Sequence, residues 1–122
     1  DVAVSCWMTQ FKSIRWAFDL THIAERIQQY WRIMEHWRRV LPVPMLEIDY
    51  EETVDQQTAQ TVRLLDFIGL EWDDACMQFH KTERLVRTAS VTQVRQPIYK
   101  RSVERWRSYE DALQPLLERL TI

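Results

Sequence analysis

Hydrophobic residues recur at helical spacing over much of this chain. The clearest stretch, residues 20–41, places apolar side chains three or four positions apart and is followed by Pro42 and Pro44. Its apolar positions are Leu20, Ile23, Ile27, Tyr30, Trp31, Met34, Trp37 and Leu41. Residues 2–11 and 110–120 show the same periodicity over shorter spans. The pattern predicts one long amphipathic helix and shorter helices near both ends of the chain.

One short segment, residues 45–50, departs from this periodicity. It is an apolar-rich run with proline before it and acidic residues after it, which favours a buried strand of a parallel sheet. A further helix is predicted from a cap at Asp55 to about Ile68, with Gly69 ending it. Helix, strand and helix in this order are typical of half a doubly wound α/β unit. We therefore expect a helix-rich α/β fold with one clear strand.

The remainder of the chain predicts more irregular structure. Asp73 is expected to open a short helix, and residues 81–99 form a polar, β-branched stretch with an internal proline that indicates an ordered loop. A turn is expected over residues 102–106, ahead of the last helix. The length of 122 residues suits one domain.

Charge is unevenly distributed along the chain. The net charge is −2, yet residues 84–107 carry seven basic residues against one acid. A basic segment in an otherwise acidic chain favours a local anion site over general affinity for nucleic acid. A nucleic-acid module remains the alternative for this segment, because Tyr99, Trp106 and Tyr109 lie in or beside it.

Several classes of protein are disfavoured by the sequence. No apolar run approaches the roughly 20 residues that span a bilayer, and no signal peptide is present, so we expect a soluble cytoplasmic protein without a membrane partner. Cys6 and Cys76 have no metal-type spacing and are expected to be reduced. His22, His36 and His80 are not at paired ligand spacing, so no metal is expected.

Candidate anion ligands fall into two segments. In residues 88–99 hydroxyls, two amides and an arginine surround one proline, and phosphate binding needs short donors of this kind together with guanidinium groups. Ser5 lies in the first turns of a predicted helix, where the helix dipole favours anions. A solvated basic loop and an ordinary helix serine are the alternative interpretations.

The two segments together resemble sulfotransferases that use 3'-phosphoadenosine-5'-phosphosulfate (PAPS), particularly bacterial tetratricopeptide-repeat-linked and, more distantly, protein-tyrosine sulfotransferases. In that family an Arg-Asp-Pro-x-Asp-x-x-x-Ser stretch binds the 3'-phosphate of PAPS. The pentapeptide from Asp1 to Ser5 is similar to the end of that stretch. The resemblance implies that Ser5 is the 3'-phosphate serine and that its partner arginine precedes residue 1.

Two further segments carry the resemblance. Residues 46–54 and 64–70 are similar to the family's Tyr-Glu-Asp-Leu and Phe-Leu-Gly-Leu run, which implies that Tyr50 faces the adenine nucleotide. Residues 90–99 are similar to its Ser-x-x-Gln-Val-x-x-Pro segment. The nucleotide-binding residues implied by these segments and by the basic turn after them are Ser90, Gln93, Val94, Arg95 and Arg105.

The resemblance also sets expectations for the whole chain. It implies the C-terminal part of a P-loop-like parallel-sheet fold, with residues 1–122 forming one partial domain. The 5'-phosphosulfate loop and the catalytic base are expected ahead of Asp1, so no catalytic residue is assigned and activity of the chain alone is not expected. The acceptor is left open among a protein tyrosine, a carbohydrate, a lipid and a small metabolite.

The alternative function is a helical interaction or dimerisation module without catalysis. The amphipathic stretch 20–41 and the lack of a glycine-rich phosphate loop motivate it. Exposed apolar helix faces associate with partners, so a homodimer is compatible with the sequence.

Overall fold

The computed structural model describes residues 1–9, 11–83, 85–88 and 90–120. Backbone contacts group the chain into two compact units, one of Asp1–Pro44 with the chain from Ser102 onward, and one of Met45–Arg101. Among the described residues, the α-helices are α1 (Val2–Met8), α2 (Leu20–Val40), α3 (Tyr50–Asp55), α4 (Gln57–Ile68) and α5 (Gln114–Leu120). Whether residues 1–122 are one partial domain, as the resemblance implies, stays a prediction.

The core of the first unit lies where α1 and α5 pack against α2. Ile23 is 1% exposed and Ala24 is fully buried, and both contact Ala3 of α1 and Leu116 of α5 in one cluster. The small side chains of Ala3 and Ala24 allow close approach of the helices, and close packing is the normal state of a protein interior. Half-buried apolar residues surround this cluster: Cys6, Trp7, Trp16, Leu20, Ile27, Leu117 and Leu120.

Helix α2 ends before a proline, as its sequence predicts, and it begins at a side-chain cap. One carboxylate oxygen of Asp19 accepts hydrogen bonds from the backbone N–H groups of Thr21 (2.8 Å) and His22 (3.0 Å). These bonds, chiefly the one from His22, lower the pKa of Asp19. Leu41 leaves the helix with φ −85° and ψ 124°, the extended conformation that a following proline favours.

Part of the apolar stripe of α2 is not covered. The stripe predicts burial of Trp31 and Trp37, but each is 42% exposed, and Tyr30, Ile33 and Val40 are also exposed. The buried positions of α2 are instead in its first two turns, where α1 and α5 lie against it.

Helix α5 is anchored to α2 by polar contacts as well as by the core. Gln28 donates its side-chain N–H to the backbone oxygen of Arg119 at 2.6 Å, and the Arg119 guanidinium lies 3.6 Å from the Glu25 carboxylate. Pro115 is the second residue of α5, where the N–H that proline lacks has no partner within the helix. A 3₁₀ turn, Asp111–Leu113, leads into the helix and buries Leu113.

The predicted strand at residues 45–50 is not formed among the described residues. Residues 45–49 lie outside helices and pair with no strand, and Tyr50 is the first residue of α3. The local reason is Asp49, whose carboxylate accepts hydrogen bonds from the N–H groups of Glu51 (2.9 Å) and Glu52 (3.1 Å) and so starts a helix there. A strand also needs a neighbouring strand for its hydrogen bonds, so the α/β class itself stays a prediction.

The helix predicted from Asp55 to Ile68 is two helices. Asp55 is the last residue of α3 instead of a cap, and Gln56, with φ −127° and ψ 51°, separates α3 from α4. The predicted end is confirmed: Gly69 has φ 71°, and the N–H of Leu70 bonds to the carbonyl of Leu65 at 2.9 Å. The predicted helix after Asp73 is a 3₁₀ helix, Asp74–Lys81, and a second 3₁₀ turn spans Gln93–Arg95.

Replacing Ile23 by alanine tests the core of the first unit. We expect Ile23→Ala to lower the free energy of unfolding by about 2–5 kcal/mol, because it removes a buried side chain and leaves a cavity between α1, α2 and α5. Urea denaturation measures this change. Ile33→Ala is the matched control: it makes the same chemical change in the same helix at a residue that is 41% exposed. We expect it to cost less than about 1 kcal/mol, and equal losses from the two variants would contradict the assignment of the core.

Candidate functional site

Three of the predicted nucleotide-binding residues line one cavity in the Met45–Arg101 unit. Tyr50, at the start of α3, faces Gln93 and Val94 of the 3₁₀ turn across a cavity of about 180 Å³. The remaining lining residues are mostly apolar or aromatic: Val54, Phe79, Gln96, Pro97, Ile98 and Tyr99. Residues more than 40 positions apart in the sequence thus meet at one surface.

The loop that carries Gln93 and Val94 is ordered by its own backbone. The carbonyl of Ser90 accepts hydrogen bonds from the N–H groups of Gln93 (2.9 Å) and Val94 (3.1 Å). The Ser90 hydroxyl lies 2.9 Å from that of Thr88. Arg95 ends the 3₁₀ turn, and Gln96 continues in extended conformation towards Pro97. The predicted ordered loop is therefore confirmed where it is described, and Ser90 acts within it as a turn residue.

An ion pair ties the end of this loop to α3. Lys100 Nζ donates to Asp55 Oδ1, and both side chains are largely exposed. The hydrogen bond from Lys100, together with the charge of its ammonium group, lowers the pKa of the Asp55 carboxyl. Asp55 and Tyr50 belong to the same short helix, so the ion pair holds the loop close to the helix that presents Tyr50.

Five of the seven predicted nucleotide-binding residues lie in the Met45–Arg101 unit, and the other two, Ser5 and Arg105, lie in the first unit. Ser5 is exposed on α1, and its side chain is three residues from that of Met8, so the two side chains share a face of the helix. Arg105 Nη2 lies 3.4 Å from Met8 Sδ. The structure therefore brings the Arg105 guanidinium against the face of α1 that carries Ser5.

The predicted turn before the last helix is a 3₁₀ helix, Arg105–Tyr109, with its basic side chains against aromatic rings. The Arg105 guanidinium carbon lies 5.9 Å from the ring centre of Tyr109, and that of Arg107 lies 5.1 Å from the ring of Trp106. Arg107 also bonds to Glu104 at 2.9 Å, which lowers the pKa of Glu104 and raises that of Arg107. These contacts limit the rotamers of both arginines.

Asp1 lies in the stretch that resembles the family's 3'-phosphate motif, but sequence reasoning assigned no contact to its side chain. Its carboxylate accepts the backbone N–H of Glu104 on one oxygen (2.8 Å) and that of Trp106 on the other (2.9 Å). Glu104 has φ 56° and ψ 16°, a left-handed conformation that is uncommon outside glycine. No local sequence pattern predicts a contact between residues 103 positions apart. The available signal was an aspartate immediately before α1, and that position is also typical of an ordinary helix cap.

The cysteines, possible metal ligands and possible membrane spans were also considered in the sequence. Cys6 and Cys76 are both free in the structure, and partial burial raises the pKa of the Cys6 thiol. Across the described ranges, no group of three or more His, Cys, Asp or Glu residues is arranged to hold a metal ion. Within the same ranges, no helix is long and apolar enough to cross a membrane.

The comparison with known proteins identifies the family. A sequence profile described as "Sulfotransferase family" matches residues 1–74, which is more than half of the chain. The chain therefore belongs to the sulfotransferase family. The matched range includes Ser5 and Tyr50, whereas the loop of Ser90 and the turn of Arg105 follow it.

A close relative extends the similarity over the rest of the chain. An uncharacterized protein of Aquifex aeolicus (strain VF5) is 40% identical, in an alignment that covers 97% of this chain and 16% of that relative. The chain thus spans only a small part of the length of the curated relative it matches. No solved structure matches the chain.

The Lys100–Asp55 pair generates a prediction about titration. We expect Lys100→Gln to raise the pKa of the Asp55 carboxyl towards its ordinary value, because the hydrogen bond and the positive charge that lower it are both removed. In the unchanged protein, a lowered folded-state pKa means that the stabilisation by this pair is present above the unfolded pKa and is lost as the pH falls through the folded value.

Carbon-detected NMR titration of the aspartate carboxyl groups measures this shift. Lys81→Gln, in the same unit but bonded to Gln78 instead of an acid, is the matched control and should leave the Asp55 titration unchanged. An unchanged Asp55 pKa in Lys100→Gln would mean that the pair does not form in solution.

Proposed function

We propose that this chain forms the part of a PAPS-dependent sulfotransferase, of the bacterial tetratricopeptide-repeat-linked or protein-tyrosine sulfotransferase type, that holds the 3'-phosphoadenosine end of PAPS. The observation that carries the proposal is the position of the Arg105 guanidinium against the face of α1 that presents Ser5, in a chain of the sulfotransferase family. The family generally takes its sulfuryl group from PAPS.

The first unit supplies the donors that a 3'-phosphate needs. A phosphate monoester is a compact dianion at neutral pH, and arginine together with a hydroxyl is a common ligand set for it. Ser5 and Arg105 are both exposed, so neither side chain must leave a core to meet the phosphate. The rings beside Arg105 and Arg107 restrict these side chains before binding, which lowers the entropy lost on binding.

The Met45–Arg101 unit, taken by itself, contains a cavity with the properties of a base-binding surface. The cavity of Tyr50, Gln93 and Val94, at about 180 Å³, is smaller than the roughly 300 Å³ at which pockets for whole small molecules begin. Its size and mostly apolar lining suit one planar ring system with a few polar edges, as in adenine. The Gln93 amide can donate to and accept from such an edge. Tyr50 is 47% exposed, and its ring is free to pack against a base.

The chemistry proposed for the whole enzyme is transfer of a sulfuryl group to a hydroxyl or amine. PAPS supplies that group, and the acceptor is a protein tyrosine, a carbohydrate, a lipid or a small metabolite. Among the residues of this chain the proposed roles are positional. Ser5, Arg95 and Arg105 bind the 3'-phosphate and its surroundings, and Tyr50, Ser90, Gln93 and Val94 contact the rest of the nucleotide. Accurate placement of the donor is itself a large part of catalysis in group transfer.

A second candidate function is a helical interaction or dimerisation module, favoured by the exposed aromatic face of α2. Tyr30, Trp31 and Trp37 are each more than 40% exposed, and exposed apolar patches mark interaction surfaces. This candidate requires association that depends on protein concentration and is insensitive to nucleotide. Sedimentation at several concentrations, with and without 3'-phosphoadenosine-5'-phosphate, separates the two functions.

Calorimetry with two nucleotides tests the main proposal. In the full-length protein we expect 3'-phosphoadenosine-5'-phosphate to bind at least about tenfold more tightly than 5'-AMP, because each charge-assisted hydrogen bond to the 3'-phosphate contributes about 1.5–3 kcal/mol. The double variant Ser5→Ala with Arg105→Ala should lose that preference and keep the affinity for 5'-AMP.

Two control variants sharpen the experiment. Arg39→Ala removes one exposed arginine from the last turn of α2 and should leave both affinities unchanged. Tyr50→Ala should weaken both nucleotides by a similar factor, because it removes a contact to the base they share. Equal binding of the two nucleotides to the unchanged protein would rule out the proposed 3'-phosphate site.

A further inference from the structure

We infer that Asp1 is a positioning residue for the 3'-phosphate site, because its carboxylate holds the backbone on both sides of Arg105. This inference rests on the proposed function and adds a residue to it. The N–H groups of Glu104 and Trp106, the two chain neighbours of Arg105, bond to the two oxygens of one carboxylate at 2.8 and 2.9 Å. The main chain of Arg105 is thereby fixed from both directions.

Asp1 also belongs to the helix that carries Ser5. Its backbone carbonyl accepts the N–H of Ser5 at 2.9 Å and so forms the first hydrogen bond of α1. Its side chain forms no cap bond to α1 and is used entirely for the distant turn. One residue therefore connects both proposed phosphate ligands, through its main chain to Ser5 and through its side chain to the backbone around Arg105.

The turn needs this support because of its conformation. Glu104 is the described non-glycine residue with positive φ, and a left-handed conformation is unfavourable for a side chain with Cβ. Bonds between an ionised carboxylate and N–H groups are stronger than neutral ones and offset that strain. When the carboxylate is lost, the turn is free to relax, and the Arg105 guanidinium moves from its place beside Met8 and the Ser5 face of α1.

The side chain of Glu104 provides an internal control. It bonds to Arg107 at 2.9 Å, whereas the backbone of the same residue bonds to Asp1. Glu104→Gln therefore removes one negative charge from the turn and leaves both backbone bonds to Asp1 intact. Asp1→Asn removes one negative charge as well, but its amide keeps one acceptor oxygen and turns an N–H donor towards a backbone N–H.

The test compares these two variants in the full-length protein. We expect Asp1→Asn to reduce the preference for 3'-phosphoadenosine-5'-phosphate over 5'-AMP by about tenfold or more, as for the loss of one charge-assisted hydrogen bond. The affinity for 5'-AMP should stay unchanged, which a general loss of structure would not allow. Glu104→Gln should keep the preference within about twofold, the scatter expected for an exposed substitution.

A rescue variant separates positioning from stability. Glycine adopts positive φ without strain, so Glu104→Gly in the Asp1→Asn background should recover part of the lost 3'-phosphate preference. If the protein without substitutions prefers 3'-phosphoadenosine-5'-phosphate over 5'-AMP and Asp1→Asn keeps the same preference, the role of Asp1 is overturned and the proposed function stands. Equal binding of both nucleotides to the unchanged protein would instead remove the proposed function and this role together.

The folding of the variants is part of the same test. If Asp1→Asn does not fold, its double variant with Glu104→Gly is measured in its place, because it lacks the strain that Asp1 offsets. Failure of the double variant to fold would assign Asp1 to general stability and overturn the inference.

Discussion

The packing of α1 and α5 against the first two turns of α2 is the constraint on which the first unit depends. Ile23 and Ala24 are almost completely buried there, between Ala3 of α1 and Leu116 of α5. The site residues occupy the borders of this core: Ser5 lies on the outer side of α1, and the turn of Arg105 leads into the segment that becomes α5. Burial of a few small and branched side chains therefore sets the positions of two exposed polar ones.

Capping by aspartate determines the element boundaries in both units. Asp19, Asp49 and Asp73 each accept backbone N–H groups two or three residues ahead, and each stands immediately before a helix. Their effect is local, since it depends on the side chain and the next few residues. Asp1 stands in the corresponding position before α1 but directs its carboxylate to a turn 103 residues later. The same residue type at the same helix position thus caps its own helix in three cases and bonds to a distant turn in one.

The family assignment and the geometry support the proposed function in different ways. The sulfotransferase match over residues 1–74 includes Ser5 and Tyr50 but ends before the loop and the basic turn. For those later residues the geometry within each unit is the argument: Gln93 and Val94 share a cavity with Tyr50, and Arg105 lies against α1. Within each unit, one residue of the matched range therefore lies close to predicted residues that follow that range in the sequence: Ser5 in the first unit and Tyr50 in the second.

The sequence by itself determined the features that depend on neighbours along the chain. The long helix from residue 20, the left-handed end at Gly69 and the ordered loop around Pro97 follow from periodicity and turn chemistry, and all are observed where the structure describes them. The strand expected at residues 45–50 is not formed among the described residues, and Asp55 ends a helix instead of capping one, because the cap at Asp49 starts the helix earlier. Tertiary structure alone decided which side of α2 is buried, the meeting of Tyr50 with Val94, and the bonds from Asp1 to the turn of Arg105. The reason is physical: capping and periodicity act over a few residues, whereas these contacts join distant segments that only packing brings together.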